Sequence, residues 1–240
     1  MTRLLAFDTS TDAMSLALLT PQGRRARDEA GGAKASARLL PELLAMLADA
    51  GSTLQELDAI AFGCGPGAFT GLRTACSVAQ GLAFGASKPV VPVDSLLIVA
   101  QDARTQLADD APAELWVAMD ARMDEVYAGA YRWESGRWTV LSAPALYSVE
   151  ALNAAWQSAP PTLVAGSALD AFGERLALGA AATVPRERSR AAALIEVAAQ
   201  LLAEGRTVDA THALPVYLRD KVAQTTQERE AARAAKEVAT

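Results

Sequence analysis

The segment Asp8-Thr-Ser-Thr11 places one carboxylate and three hydroxyl groups at a bend between two short apolar runs. In kinase-type folds an acid at such a bend holds a magnesium ion, and the hydroxyl groups and amides of the bend accept phosphates. The same residues also suit an Asx-type turn, in which side chains bond their own backbone. Asp8 and Thr9 are therefore candidate nucleotide-binding residues, with a purely structural turn as the alternative.

A second segment follows a buried apolar run and reads Gly65-Pro-Gly-Ala-Phe-Thr-Gly-Leu-Arg73. Glycines between a strand and a helix let backbone amides point outward at the helix N-terminus, which favours an anion. Thr70 suits the N-cap position. The segment is not a P-loop, because no Gly-Lys-Ser/Thr sequence follows, and it lacks an in-frame dinucleotide motif. Gly65, Gly67 and Thr70 are candidate phosphate-binding residues, with a structural strand–helix turn as the alternative.

The residues that bind metals or attack substrates are scarce in this chain. His212 is the only histidine, so one chain cannot supply a two-histidine metal site. Cys64 and Cys76 lie in apolar or small-residue surroundings, which indicates two reduced core thiols rather than a disulfide or a metal pair. One histidine without a triad pattern also argues against a protease. We predict no catalytic residue, no metal and no cofactor.

The charge of the chain disfavours direct contact with nucleic acid. The formal net charge is −6, whereas a tRNA-binding protein usually presents a basic face that neutralises phosphates. Any role near RNA is therefore expected to pass through a partner. The N-terminus has no basic-plus-apolar signal, and no apolar run of about 20 residues spans a membrane. These features predict a cytoplasmic protein.

Alternation of strand and helix patterns predicts an α/β fold with two lobes. The first half is expected to contain a hairpin (residues 3–8 and 14–19), a helix (37–50, with Pro41 in its first turn), strands at 58–62 and 90–93, and a small-residue helix (70–84). The second half is expected to contain strands at 115–119, 125–131 and 162–165 and a helix at 189–204. A polar stretch at 101–112 marks the boundary. We predict lobes at 1–103 and 104–240, with the tail from about 215 packing back on the first lobe.

The first predicted helix has two rows of leucines. Leu40, Leu43, Leu44 and Leu47 follow helical spacing, and Leu39, Leu43 and Met46 form a second row. Together the rows give a wider apolar face than one core contact requires, beside a helix of small residues that permits close approach. This pattern predicts a pairing surface for a partner or a second copy. Its candidate residues are Leu39, Leu40, Leu43, Leu47, Thr70 and Arg73.

Five motifs, taken in order and spacing, resemble the TsaB (YeaZ) family. They are Asp8-Thr-Ser-Thr11, Arg38-Leu-Leu-Pro41, Gly65 to Arg73, Asp120-Ala-Arg-Met-Asp-Glu-Val-Tyr127 and Pro215-Val-Tyr-Leu-Arg219. The resemblance implies a two-lobe ASKHA (actin, sugar kinase, Hsp70-like) fold with mixed sheets flanked by helices. It also implies an N-terminal lobe that mediates pairing.

The resemblance further implies a partner role without catalysis. The family works with a catalytic paralogue, TsaD, and a small P-loop ATPase, TsaE. Their complex transfers a threonylcarbamoyl group from its adenylate to adenosine 37 of tRNAs that read codons starting with A. The expected role is a scaffold subunit that contacts tRNA only indirectly and forms a homodimer when alone. A small-molecule kinase or ATPase of the same fold is the alternative.

Several positions depart from the family or from its catalytic paralogue. Ala68 stands where the family often has serine, and Ala35-Ser-Ala37 replaces a stretch that often contains histidine. Ser95 and Val99 occupy the positions of the paralogue's two metal-binding histidines. The first two departures weaken the prediction of nucleotide binding, and the last supports the absence of a metal site.

Overall fold

In a computed structural model, which describes residues 2–107 and 113–219, the chain folds around two five-stranded sheets. The strands are β1 Leu4–Asp8, β2 Ala13–Thr20, β3 Gly23–Ala30, β4 Ala59–Gly65, β5 Val90–Asp94, β6 Ala113–Asp120, β7 Glu125–Glu134, β8 Arg137–Ser148, β9 Leu163–Ala165 and β10 Ala182–Val184. The helices are α1 Ala35–Asp49, α2 Phe69–Ala86, α3 Ser95–Gln106, α4 Val149–Ser158, α5 Ala168–Phe172 and α6 Arg190–Ala203.

The two halves of the chain repeat one topology. Each half has three consecutive antiparallel strands, followed by helix, strand, helix, strand and helix. The strand orders are β3-β2-β1-β4-β5 and β8-β7-β6-β9-β10, and the last two strands of each sheet run parallel to the first. The predicted α/β class with mixed sheets flanked by helices is therefore confirmed.

The central strand β1 is buried on both of its faces. Leu4 and Ala6 point toward α3 and α6, whereas Leu5 and Phe7 point toward α1 and α2. The predicted hairpin of β1 and β2 is confirmed, but the sequence analysis missed β3. This strand lies at the edge of the sheet with almost all of its residues exposed, and its charges discourage pairing with other chains. It therefore has no apolar pattern to reveal it.

The buried face of α1 differs from the one that the leucine spacing suggested. Leu39, Leu43 and Leu47 are buried in the core, so the prediction that they lie on an exposed pairing surface is wrong. They pack beneath the helix against the first sheet. Leu40 and Leu44 remain exposed, with 40% and 44% of their surface accessible.

The start of α1 also differs from the prediction. The helix begins at Ala35, directly after a 3₁₀ turn at Gly32–Lys34, so Pro41 lies beyond the first turn. The hydrogen bond that proline cannot donate would have gone to the carbonyl of Ala37, an exposed residue. Water can satisfy that carbonyl, which lowers the cost of a proline inside the helix.

Helices α3 and α6 share one core with strands of both sheets. The core includes Leu4 and Val91 from the first sheet and Leu115 and Tyr131 from the second. Helix α6, although it ends the second half, packs on β1, β2 and β3 of the first. Among the residues described, no helix is both long and apolar enough to cross a membrane.

The N-terminal turn of α2 lies directly against the bend after β1. A Cβ atom added at Gly71 would stand 1.7 Å from the carbonyl oxygen of Thr9. In turn, the hydroxyl group of Thr9 donates a 2.7 Å hydrogen bond to the carbonyl of Gly71. Glycine is therefore required at position 71 because the two backbones touch.

Substitution of Gly71 by alanine should destabilise the chain, because the added methyl group forces the bend and α2 apart. Overpacking of this kind costs about 1–3 kcal/mol of unfolding free energy. Gly81→Ala in the same helix is the matched control, since nothing lies within 4 Å of its added Cβ. The control should gain about 0.5–1 kcal/mol from helix propensity. Equal effects of the two substitutions in denaturant unfolding would contradict the contact.

The buried and the exposed leucines of α1 should differ equally clearly. Leu43→Ala removes a fully buried side chain and should cost about 2–5 kcal/mol of unfolding free energy. Leu44→Ala, one position further along, should change it by about 0.5 kcal/mol or less, measured under conditions where the chain is monomeric. A large loss for Leu44→Ala and none for Leu43→Ala would mean that the helix is rotated from the position described.

Candidate functional site

A cleft of about 760 Å³ opens between the two halves of the chain. Its walls are built by the bend after β1, the glycine motif, the start of α3, the bend between β6 and β7, and the segment 216–219. Glu187 and Arg190 also line it, near the beginning of α6. The two sequence motifs thus meet at the carboxyl ends of β1 and β4, but of their candidate residues Gly67 alone lines the cleft, whereas Asp8, Thr9, Gly65 and Thr70 do not.

Asp8 is buried beside this cleft and is fully engaged by the chain itself. One carboxylate oxygen accepts the backbone amide of Ser10 at 2.9 Å, which makes the Asx-type turn named above as the structural alternative. The other oxygen accepts the hydroxyl group of Ser10 at 2.8 Å and Nε of Arg190 at 2.5 Å. The whole residue is only 1% exposed. It therefore meets the chain's own donors rather than the cleft.

The guanidinium group of Arg190 has four oxygen partners. Besides Asp8, it donates to the carboxylate of Glu187 at 2.8 Å, the hydroxyl group of Ser10 at 3.1 Å and the carbonyl of Ser95 at 3.2 Å. Its side chain is 5% exposed. Such a buried charge is stable only where its donors are paired in this way.

Burial and charge act in opposite directions on these groups. Burial disfavours the charge of Arg190, but the carboxylates of Glu187 and Asp8 outweigh it and raise its pKa. Burial raises the pKa of Glu187, although Arg190 counteracts this shift. Burial likewise raises the pKa of Asp94, against a hydrogen bond from Tyr131 that lowers it. The arginine thus stays charged, and its charge lowers the pKa of Glu187 and of Asp94 against the effect of burial.

Two further carboxylates fix the beginning of α6. Asp28 of β3 accepts the amide of Ala191 at 3.0 Å and the hydroxyl group of Ser189 at 2.9 Å. Asp102 of α3 accepts the amides of Arg188 and Ser189 at 2.9–3.1 Å. These bonds satisfy amides at and just before the helix N-terminus and place negative charge where the helix dipole favours it. They hold Arg190 against Asp8.

The glycine motif uses its polar groups within the chain. The amide of Ala68 donates to the carbonyl of Ser10 at 2.7 Å, and the amide of Gly65 donates to the hydroxyl group of Ser95 at 3.1 Å. A Cβ atom on Gly67 would stand 2.6 Å from Ser10. Thr70 is exposed and is not the N-cap, which is Ala68, so that prediction is wrong. The N-cap thus lies two residues earlier than predicted, where the carbonyl of Ser10 in the bend after β1 accepts the amide of Ala68.

Ser95, Val99 and His212, the positions weighed above as metal ligands, offer no metal site. The hydroxyl group of Ser95 accepts a hydrogen bond from the amide of Gly65, and Val99 is buried in the shared core. His212 lies exposed in a 3₁₀ turn, where its Nδ1 atom is 3.3 Å from the hydroxyl group of Thr211. In the described ranges, no group of three histidine, cysteine or acidic residues could hold a metal ion.

Both cysteines are free and buried, as predicted. Burial raises the pKa of the Cys64 thiol to about 12. The thiol is therefore protonated at neutral pH and is a poor nucleophile.

The bend that carries the Asp120-Ala-Arg-Met box has an unusual backbone. Arg122, Met123 and Asp124 all have φ between 56° and 64°, in the left-handed region. Arg175 donates two hydrogen bonds to Asp124 at 2.5 and 2.7 Å, and Arg219 donates to the carbonyl of Arg122 at 3.2 Å. These contacts offset the strain and tie the tail to the second half.

The tail also contacts the first half, because the amide of Val216 donates to the carbonyl of Cys64 at 2.7 Å. The segment 214–219 thereby crosses from one side of the cleft to the other.

Four residues of the site were not predicted from the sequence: Glu187 and Arg190, which complete it, and the capping acids Asp28 and Asp102. One signal was present for Arg190. It opens an otherwise apolar helix that begins after Ser189, where a cation opposes the helix dipole. The acids gave no signal, because each lies far along the chain from the helix that it caps.

Comparisons with known proteins agree along nearly the whole chain. The family model described as TsaD, tRNA N6-adenosine threonylcarbamoyltransferase, matches residues 31–227. The Escherichia coli tRNA threonylcarbamoyladenosine biosynthesis protein TsaB is 35% identical, over 92% of this chain and 96% of its own. The Haemophilus influenzae protein of the same name is 35% identical, over 91% of this chain and 94% of its own.

The solved structures agree with the sequence relatives. YeaZ from Pseudomonas aeruginosa superposes with a TM-score of 0.80 at 39% identity, over 91% of this chain and all of its own. A second structure from that organism, described as having similarity to peptidase YEAZ, has a TM-score of 0.82 at the same identity and coverage. The fold is thus of the TsaD/YeaZ type and ASKHA-like, as predicted. Identity at this level along nearly the whole chain shows that it belongs to the TsaB (YeaZ) family.

Proposed function

We propose that this chain is a non-catalytic partner subunit in the biosynthesis of threonylcarbamoyladenosine in tRNA. It pairs with a TsaD-like catalytic subunit and works with a TsaE-like ATPase in the cytoplasm, and it contacts tRNA only through these partners. The relatives named TsaB supply the pathway. The observation that carries the partner role is the exposed apolar surface of α1 and α2.

Helices α1 and α2 cover the same side of the first sheet, and each keeps an outer face that no part of the described chain covers. On α1 the exposed apolar residues are Leu40 and Leu44. Near the end of α2, Phe84 is 79% exposed. The small exposed residues Ser77 and Gly81 lie on α2 between Arg73 and Phe84 at helical spacing. Large apolar side chains beside small ones allow another helix to approach closely.

Arg73 extends this outer face toward the tail of the chain. Its guanidinium carbon stands 3.9 Å from the ring centre of Phe69, and its Nε atom donates to the hydroxyl group of Tyr217 at 3.1 Å. Arginine and tyrosine dominate the binding energy of many interfaces, and a side chain already held in place loses less entropy on binding. Thr70, one turn earlier, is also exposed. We therefore keep Leu40, Thr70 and Arg73 as candidate interface residues and add Leu44 and Phe84.

The same face can serve two kinds of partner. A second copy presents an identical apolar surface, which suits a twofold pairing. A paralogue with the same fold presents a related one. The homodimer and the complex with the catalytic subunit are therefore expected to compete for α1 and α2.

The state of the cleft supports a role without phosphoryl transfer. A kinase or ATPase needs a carboxylate that is free to bind magnesium and donor groups that are free to bind phosphates. Here Asp8 is paired with Arg190, and the amide of Ala68 at the start of α2 already donates to the carbonyl of Ser10. A peptidase role lacks support as well, since both cysteines, the strongest potential nucleophiles, are buried. The net charge of −6 favours indirect contact with tRNA.

Leu44→Glu and Phe84→Glu should leave the fold intact and abolish both homodimerisation and capture of the catalytic subunit. A carboxylate at the centre of an apolar contact loses its hydration when the partner docks. Analytical ultracentrifugation and co-purification with the tagged TsaD-like protein measure the two losses. Leu141→Glu, on β8 and 39% exposed, is the matched control and should keep both interactions.

Circular dichroism establishes that each variant is folded before its binding is scored. Folded Leu44→Glu and Phe84→Glu variants that dimerise and capture the catalytic subunit like the parent chain would place the interface elsewhere. Leu43→Glu is unsuitable for this test, because a charge in the core should unfold the chain.

The isolated chain should not hydrolyse ATP measurably. Phosphate release from the purified protein in the presence of magnesium and ATP tests this expectation. The discriminating control is Asp8→Asn, which removes the one acid that stands where kinases of similar folds bind magnesium. Turnover by the parent chain that Asp8→Asn abolishes would favour the small-molecule kinase or ATPase alternative.

A further inference from the structure

The oxygen atoms around Arg190 have the character of a cation site. Two carboxylates, of Asp8 and Glu187, one hydroxyl group, of Ser10, and one backbone carbonyl, of Ser95, converge on the guanidinium within 2.5–3.2 Å. All four are hard oxygen donors, the kind that magnesium and calcium ions take in proteins. They come from β1, its bend, the start of α3 and the segment before α6, so only the folded chain assembles them.

The guanidinium group is held at this place from outside the site. Asp28 and Asp102 fix the beginning of α6, and Arg190 is its first residue. A cation at a helix N-terminus is disfavoured by the helix dipole, so the helix itself does not explain the arginine. What compensates the charge is the pair of carboxylates. Without the arginine, the carboxylates of Asp8 and Glu187 would have no cation between them to compensate their charges.

We propose that Arg190 is a built-in counter-cation that fills an all-oxygen cation site and thereby closes the cleft to a metal-bound phosphate ligand. Asp8, the acid that would bind magnesium in a kinase, binds the arginine instead. The residues present do not fit a resident metal ion, because a side chain of the protein occupies its place. This inference depends on the four contacts and not on the proposed partner role.

The proposal predicts that removal of the guanidinium group converts the site into one that binds divalent cations. Arg190→Ala should lower the midpoint of thermal unfolding strongly in sodium chloride, because it leaves the buried carboxylate of Asp8 and the partly buried carboxylate of Glu187 without a counter-cation. Millimolar magnesium or manganese chloride at matched ionic strength should raise that midpoint by about 5 °C or more. The parent chain should respond equally to sodium and magnesium salts.

A double variant separates the cation site from general effects of salt. Asp8→Asn combined with Arg190→Ala removes the central acid, so its stability should not depend on the choice between sodium and divalent salts. Electron paramagnetic resonance of manganese gives a direct count of bound ions. Arg190→Ala should bind about one Mn²⁺ per chain, whereas the parent chain and the double variant should bind none.

Several results would overturn the proposal. These are equal stability of Arg190→Ala in magnesium and sodium salts, its failure to fold in either, and Mn²⁺ binding by the parent chain that Asp8→Asn abolishes. Each would mean that the four oxygens do not form a cation site that Arg190 fills. The outcome is distinguishable from that for the partner role, which is scored by dimerisation and capture of the catalytic subunit on the opposite side of the first sheet.

Discussion

The buried ion pair between Arg190 and Asp8 joins α6 of the second half to the first sheet beside the cleft. Around it, Asp28 and Asp102 fix the helix that carries the arginine, and Glu187 completes its partners. Each contact depends on the others, because a buried charge that loses its partner destabilises a protein far more than an exposed one. This group of charges fixes the start of α6 against the first sheet, and the rest of the helix packs through the apolar core that both halves share.

The two sides of the first sheet are each covered by a pair of helices, but only one of these pairs is itself covered by the rest of the described chain. The inner side is covered by α3 and α6 within the chain, and its apolar side chains are fully buried. The outer side is covered by α1 and α2, whose own outer faces remain open and include Leu44 and Phe84. A layer of two helices cannot bury both of its faces without a further layer. A partner that supplies that layer would complete the arrangement.

The glycine motif illustrates how one sequence pattern serves two kinds of chemistry. Glycines at the start of a helix permit the approach of a phosphate, and they equally permit the approach of another backbone. In this chain the approaching group is the bend after β1, which contacts Gly67 and Gly71 and takes the amide of Ala68. The glycine motif therefore accounts for the packing of α2 against the bend after β1, and Asp8 pairs with Arg190.

The sequence by itself determined the α/β class, the hairpin of β1 and β2, most of the long helices and the family, because periodic apolar runs and contiguous motifs are local signals. It also indicated reduced core cysteines from their neighbours. The tertiary structure alone decided which leucines of α1 face the core, since both rows have helical spacing, and the sheet beneath buries Leu43 and Leu47 but leaves Leu44 exposed. It alone revealed β3, which is charged and exposed, and the pairing of Asp8 with Arg190. Residues 182 positions apart carry no local pattern that links them, and their contact exists only because both sheets and α6 bring the two charges together.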